Sequence, residues 1–130
     1  MTALDTRARE LAQAPNFATL SVILRSGRAM THVMWVDADE DHILINTEAH
    51  RAKFRAIERD PRVTVTVWQR DDPYTYAEVR GQVVATTRGQ EARDHIDSLS
   101  RKYRGKDYDD SAITSERVIL RIAPETVRCH

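Results

Sequence analysis

Three cations alternate along one short segment of the chain, Arg51, Lys53 and Arg55, and no acidic residue lies between Glu48 and Glu58 to offset them. The first turn of a helix carries unpaired N–H groups and partial positive charge, so it normally favours acids. Cations gathered where a strand leads into a helix form an anion site, because guanidinium and ammonium groups bind phosphate oxygens. The segment predicts a site for a phosphorylated cofactor. The alternative is a solvated helix face on which Arg55 pairs with Glu58.

The other chemically capable residues do not form a recognisable catalytic set. The five histidines include no short-spaced pair, and the chain has one cysteine, Cys129, so no metal site is predicted. No nucleophile elbow, Walker loop or G-x-G-x-x-G is present. His32 lies in mid-strand and either lines a pocket or is hydrogen-bonded at a barrel rim. If the protein is an enzyme, a bound cofactor must supply the difficult chemistry.

One predicted strand face mixes aromatic and charged side chains, Tyr74, Tyr76, Glu78 and Arg80. Tyr and Arg are enriched where subunits meet, and such a face is too mixed for a core. We therefore expect a subunit interface here and a homodimer. Contact of Tyr76 with a cofactor ring is the alternative.

The composition narrows the class of protein. The 130 residues predict a single domain over 1–130, and twenty basic residues balance twenty acidic ones, which argues against a nucleic-acid binder. No apolar run approaches the length of a membrane span, so membrane insertion is not expected. With no second cysteine for a disulfide, a cytoplasmic location is expected.

The elements that position these residues can be read from periodicity and turn residues. Three successive strands are predicted to form a meander, and Pro124 is predicted to end the last strand. A long strand is predicted to break or bulge near Gly81. The predicted fold is mainly β with flanking helices, a small six-stranded antiparallel barrel. The expected helices are 5–14, 50–59 and a longer one that a capping box, Thr87-x-x-Gln90, opens and Arg104-Gly105 ends. The expected strands are 17–24, 28–36, 42–47, 62–68, 74–87 and 116–122.

The order of five segments resembles a known family: RSGRAMTHVMWVD, DHILINTEAHRAKFRAIERDPRVTVTV, PYTYAEVRGQV, SLSRKYRGKDY and SERVILRI. Together they resemble the flavin/deazaflavin oxidoreductase superfamily, the split β-barrel clan of pyridoxamine-phosphate-oxidase-like proteins. The resemblance covers roughly residues 5 to 128 and is greatest to the B group, which uses coenzyme F420. Its most specific part is RAKxRxIxRDPRVTV.

The resemblance implies a homodimer with each cofactor in a groove between the subunits. It places Arg51 and Lys53 at the phosphate, with Arg55 as a third cation. It places three strand residues beside the ring, His32, Val33 and Met34. Asn46 and Thr47 would approach the sugar-like chain, and Trp68 and Tyr76 are further candidates donated by the second subunit.

The sequence also departs from the family pattern. Ala56 stands where the family often has Asn, and His32-Val33 replaces a Thr/Ser-Pro pair beside the ring. The second change concerns the substrate pocket more than the phosphate site.

The resemblance implies a small-molecule reductase in which reduced F420 delivers a hydride to an electron-poor double bond. His32 is the candidate proton donor, and solvent can serve instead. FMN presents a phosphate on a similar chain, so an FMN-dependent oxidoreductase is one alternative. A non-catalytic carrier of a flavin or deazaflavin is another.

Overall fold

The computed structural model describes residues 4–130, which form one antiparallel sheet and three helices. The predicted class, mainly β with flanking helices, is confirmed. The sheet has seven strands instead of six, because the two residues Asp37–Ala38, predicted to begin a turn, form a short strand. The elements are α1 (Thr6–Gln13), β1 (Phe17–Ile23), β2 (Ala29–Trp35), β3 (Asp37–Ala38), β4 (Ile43–Glu48), α2 (Ala52–Arg59), β5 (Arg62–Gln69), β6 (Asp72–Arg88), α3 (Gln90–Arg104) and β7 (Arg117–Cys129).

The strand order is β2-β1-β5-β6-β7-β4-β3, and the sheet curls into an open barrel. Its two outermost strands, β2 and β3, are separated in the chain by Val36 alone. Alternate residues point inward, so the register places Ala18 opposite Val67 and Leu20 opposite Val65 in a continuous buried core. The barrel thus has a seam, without strand pairing, where β2 comes near the β3-β4 pair.

The predicted meander of the first three strands is wrong. β4 pairs with β7 and β3, and not with β2. All six β4 residues are buried, since its inner face joins the barrel core while Leu44 packs on Ala92 of α3 and Ile119 of β7. A strand that is buried on both faces lacks the alternation of apolar and polar residues from which a half-exposed strand of a meander is recognised.

The last strand also differs from its predicted end at Pro124, because β7 continues to Cys129. Pro124 lies opposite Gly81, where the register of β6 and β7 shifts, so the predicted irregularity near Gly81 is confirmed. A proline has no N–H to donate and is tolerated at such a bulge. A Cβ on Gly81 would lie 2.0 Å from the backbone oxygen of Ala123, so the two strands approach too closely there for any side chain.

Side chains at the end of α3 form hydrogen bonds with backbone groups on both sides of β1 and β2, beside the seam. The Tyr103 hydroxyl donates to the Asn16 carbonyl and accepts from the N–H of Val36 at 3.1 Å. The neighbouring Lys102 Nζ donates to the carbonyls of Ala12 and Val36. Burial raises the pKa of Tyr103 to about 12, so the hydroxyl keeps its proton at neutral pH.

In the described part of the chain, no helix is long and apolar enough to cross a membrane.

Candidate functional site

A cavity of about 350 Å³ opens at the seam of the barrel. This volume falls within the roughly 300–1,000 Å³ typical of ligand pockets. Six of the residues predicted from the sequence line it, Val33, Met34, Asn46, Thr47, Arg51 and Lys53. A further six were not predicted as site residues, Phe17, Trp35, Ile96, Arg104, Tyr108 and Arg117.

One end of the cavity is cationic. Arg51 is the N-cap residue of α2 and makes no side-chain capping bond, and Lys53 follows in the first turn. The half-buried Lys53 ammonium donates to the sulfur of Met34 at 3.4 Å. Burial lowers the pKa of Lys53, and the charges of Arg51 and Arg117 lower it further. Three mutually repelling cations in a partly desolvated place favour the binding of an anion.

Arg117 is the third cation and the main residue that sequence reasoning missed. Its side chain is only 8% exposed, with Nε donating to Asn46 Oδ1 at 2.8 Å and Nη1 to Glu48 Oε1 at 3.2 Å. Its guanidinium carbon lies 5.4 Å from the ring centre of Tyr108. Burial lowers the pKa of Arg117 despite the opposing charges of Tyr108 and Glu48. Nη2 bonds to no other described residue and remains free for a ligand.

Glu48 anchors this end of the cavity to the chain that precedes β7. Its carboxylate accepts from the N–H groups and hydroxyls of Thr114 and Ser115. Burial alone would raise the pKa of Glu48, but the Thr114 and Ser115 bonds and the charge of Arg117 together lower it. Glu48 therefore stays ionised and supplies one negative charge beside three positive ones.

The Asn46 side chain positions Arg117. Its amide nitrogen donates to the Ala92 carbonyl at 2.9 Å and lies 3.1 Å from His95 Nδ1, while its oxygen receives Arg117. When Asn46 donates to Nδ1, the proton of neutral His95 sits on Nε2, which lies 3.2 Å from Asp37 Oδ2. Asn46 thus holds the Arg117 side chain in place, and both polar atoms of the Asn46 side chain already have hydrogen-bond partners within the protein.

Aromatic side chains form much of the rest of the cavity wall. Trp35 stacks on Tyr103 with ring centres 5.1 Å apart and planes 5° from parallel, and Tyr108 meets Trp35 edge-on at 6.1 Å. Phe17 contacts the same Tyr103 ring at 5.6 Å. Val33 extends this wall and is 64% exposed, unusual for a valine. Such a wall suits one face of a planar molecule.

Four predicted site residues lie outside this lining. Arg55 is exposed on α2, and His32 is exposed on β2 opposite Leu20. Trp68 and Tyr76 face each other across β5 and β6, and the Tyr76 ring stacks on His130 at 5.2 Å. Contacts of these residues with a cofactor remain predictions.

The unpredicted lining residues had signals of different strength. Arg117 comes directly before the apolar run VIL at the start of β7, and a charge at that place is a usable signal. Phe17, Trp35 and Tyr108 carry no signal of their own, because only the closed barrel brings them together.

The chemistry available within the cavity is limited. The lining residues in the described range include no carboxylate, histidine or cysteine. Among residues 4–130 no group of three or more His, Cys, Asp or Glu could hold a metal ion. The cavity's own residues can bind an anion and pack against a planar molecule.

Comparison with known proteins agrees with this geometry. A structure described as an F420 reductase superposes with a TM-score of 0.83 at 25% identity, over 96% of this chain and 98% of that one. A conserved hypothetical protein from Mycobacterium tuberculosis gives a TM-score of 0.73 at 23% identity, over 98% and 84%. General Stress Protein 26 from Bacillus anthracis gives 0.62 at 19%, over 93% and 88%, and like the mycobacterial protein it shows the fold alone. No curated protein matches the sequence. The family model described as pyridoxamine 5'-phosphate oxidase matches residues 4–130, and the chain belongs to that family.

Proposed function

We propose that the protein is an oxidoreductase that uses coenzyme F420 to transfer a hydride between the deazaflavin and an unsaturated small organic substrate. The observation that carries this proposal is the cavity itself, with an excess of cations at one end and aromatic rings along much of the remaining wall. The 25% identical F420 reductase structure, which covers both chains almost completely, supports the choice of cofactor. The lone cysteine, exposed and unpaired, supports a cytoplasmic setting.

The residues present fit a phosphorylated, planar cofactor. Arg51, Lys53 and the free Nη2 of Arg117 would hold the phosphate, since none of these three donor groups is bound to a carboxylate at that end, and Lys53 donates only to the weak acceptor sulfur of Met34. Val33 and Met34 would border the ring. When bound, the cofactor supplies the hydride chemistry. The chain's part is to fix the ring, place the substrate beside it and exclude water.

No side chain of the cavity wall is a natural proton donor near neutral pH. Lys53 is needed as a cation, and His32 lies outside the lining on an exposed part of β2. Because the cavity is open to solvent along this edge, water is the proton source that the geometry supports best.

FMN is the alternative cofactor, because the phosphate end serves both molecules equally and the family includes flavin-related oxidoreductases. A carrier that never turns over is the other alternative. A carrier should cover the reactive face of its cargo, whereas here Val33 is 64% exposed beside open apolar space. This observation favours catalysis.

We also propose that two copies pair through the outward face of β5 and β6. The register places Trp68 opposite Tyr76, Thr66 opposite Glu78 and Thr64 opposite Arg80 on that face. Tyr74 is 83% exposed at its end. A two-fold axis would bury this mixed surface in a self-complementary contact. Sedimentation at micromolar concentration should give twice the chain mass, and a monomer that still binds cofactor would contradict the proposal.

The cofactor proposal is tested by equilibrium titration of the apo protein with F420 and, separately, with FMN. We expect F420 to bind more tightly. Tenfold tighter binding of FMN would replace F420 with FMN in the proposal. Binding of neither would refute the proposed function in both forms.

The assignment of the phosphate end is tested by Arg51→Ala. Loss of one charge-assisted contact is worth roughly 1.5–3 kcal/mol, or about tenfold to a hundredfold in affinity. Glu58→Ala is the matched control on the same helix, exposed and outside the cavity, and should leave affinity unchanged. Equal small effects of both variants would support a solvated helix face instead.

A further inference from the structure

The cavity has a second cation at some distance from its phosphate end. Arg104 is the last residue of α3 and lines the cavity, with its guanidinium carbon 5.1 Å from the ring centre of Trp35. Within residues 4–130 it makes no ion pair or hydrogen bond. One turn earlier, Arg101 is bound by Asp107 at 2.6 Å. A cation at a helix C-terminus needs no special explanation, but this one rests on an aromatic ring of the cavity wall.

A second guanidinium contacts another ring of the cavity wall, although Arg70 itself is not one of the lining residues. Arg70 has its guanidinium carbon 5.7 Å from the ring centre of Phe17, and its backbone N–H is held by Asn16 Oδ1 at 2.9 Å. Phe17 is the register partner of Trp35. We call Phe17, Trp35 and Tyr103 the aromatic platform, since both outer rings contact Tyr103. The platform thus carries an arginine without an acidic partner at each of its outer rings.

The platform is separate from the phosphate end. Going along the wall from Arg104, Trp35 comes first, then Tyr108 edge-on to it, and only then Arg117 beneath the Tyr108 ring. Two aromatic rings therefore stand between the two cationic ends.

We propose that the aromatic platform, with Arg104 and Arg70, is a second anion subsite that takes a flat, conjugated carboxylate. Apolar rings would stack on the conjugated part, and the guanidinium groups would bind the carboxylate as forked donors. The identification of this occupant as the substrate of the reductase rests on the proposed function. The proposal that the site binds such a carboxylate does not depend on it.

The proposal is tested with trans-cinnamate and trans-cinnamamide, two probes of nearly the same shape that differ in charge. Calorimetric titration should show cinnamate binding about tenfold more tightly, as expected for one charge-assisted contact. Arg104→Gln and Arg70→Gln should each reduce this preference, and the double variant should abolish it. Arg101→Gln is the matched control, an arginine of the same helix end already bound by an acid, and should change nothing.

Two outcomes would overturn the subsite. One is equal binding of the two probes by the unaltered protein, or a preference that survives in the double variant. The other is displacement of cinnamate by inorganic phosphate, which would place the probe at the Arg51 end. Thermal unfolding of each variant checks that the fold is intact.

F420 titration of the same variants separates this proposal from the proposed function. We expect F420 affinity to change less than threefold in Arg104→Gln and Arg70→Gln. If F420 does not bind while the cinnamate preference is present, the reductase proposal fails and the subsite stands. If F420 binds and the preference is absent, the subsite fails alone.

Discussion

Replacing Lys53 by Met should move ligand affinity and protein stability in opposite directions. Methionine keeps most of the length of the side chain but removes the charge and the hydrogen bond to the Met34 sulfur. The ligand then loses one charge-assisted contact, worth roughly 1.5–3 kcal/mol, so F420 should bind about tenfold to a hundredfold more weakly.

The apo protein should become more stable for the same reason. The half-buried ammonium lies near Arg51 and Arg117, both of which repel it, and burial penalises its charge. After solvent screening, relief of this repulsion should add about 0.5–1 kcal/mol to the free energy of unfolding. For a domain of this size that is a rise of about 2–4 °C in Tm.

The pH dependence provides an internal check. In the folded protein the pKa of Lys53 is below its ordinary value of 10.5, so between these two values the unfolded chain binds more protons. The stability of the unaltered protein relative to Lys53→Met should therefore rise with pH over this interval. The extra stability of Lys53→Met should be greatest at neutral pH and should disappear towards pH 10.5 and above.

Chemical denaturation across pH and cofactor titration measure both effects. Arg59→Met is the control for cofactor affinity, because it removes the same charge from the same helix at an exposed position outside the cavity. A Lys53→Met protein that binds F420 within threefold of the unaltered protein, or that loses stability, would refute the reasoning.

Three other changes test the frame around the site. Tyr103→Phe removes two hydrogen bonds at the seam and should lower the free energy of unfolding, measured in urea, by about 2 kcal/mol. Tyr74→Phe is the control, because Tyr74 is 83% exposed, and should leave this free energy unchanged. The pKa of Tyr103 is raised from 10.0 to about 12 in the folded protein, so its contribution to the free energy of unfolding should decrease from pH 10 upward. A difference in stability between Tyr103→Phe and the unaltered protein that does not change with pH would contradict this. Gly81→Ala brings a Cβ to within 2.0 Å of the Ala123 oxygen and should cost about 3 kcal/mol or prevent folding; a change under about 0.5 kcal/mol would be incompatible with the bulge. Glu48→Ala should accelerate amide exchange in the loop before β7, and unchanged protection there would show that Glu48 does not anchor it.

Local signals were sufficient for much of the fold and for two of the cations that line the cavity. Alternating Val63, Val65 and Val67 predicted β5, and Gly81 predicted the break in β6, because each depends on neighbours in sequence. Arg51 and Lys53 were predicted from the electrostatics of a helix start and line the cavity.

Long-range pairing could not be predicted in the same way. Periodicity shows which face of β4 is apolar but not that its partners are β3 and β7, since Ile43 pairs with Ile122 near the other end of the chain. Arg117 and the aromatic platform depend on that closure. Trp35 reaches Tyr108 only after β2 and the loop following α3 have come together at the seam.

The exposed edge of the barrel has a consequence for how the protein behaves without its ligands. β2 pairs on one side only among the described strands, and its sequence, AMTHVMW, contains no proline, no lysine and no acid. Edge strands are normally blunted by such residues, because an open row of N–H and C=O groups templates the addition of another strand. This seven-residue segment contains Thr, Val and Trp and no Asp, Glu, Lys, Arg or Pro, a composition similar to that of segments that form fibrils. We therefore expect concentrated apo protein to aggregate through β2, and ligands that occupy the seam to improve its shelf life.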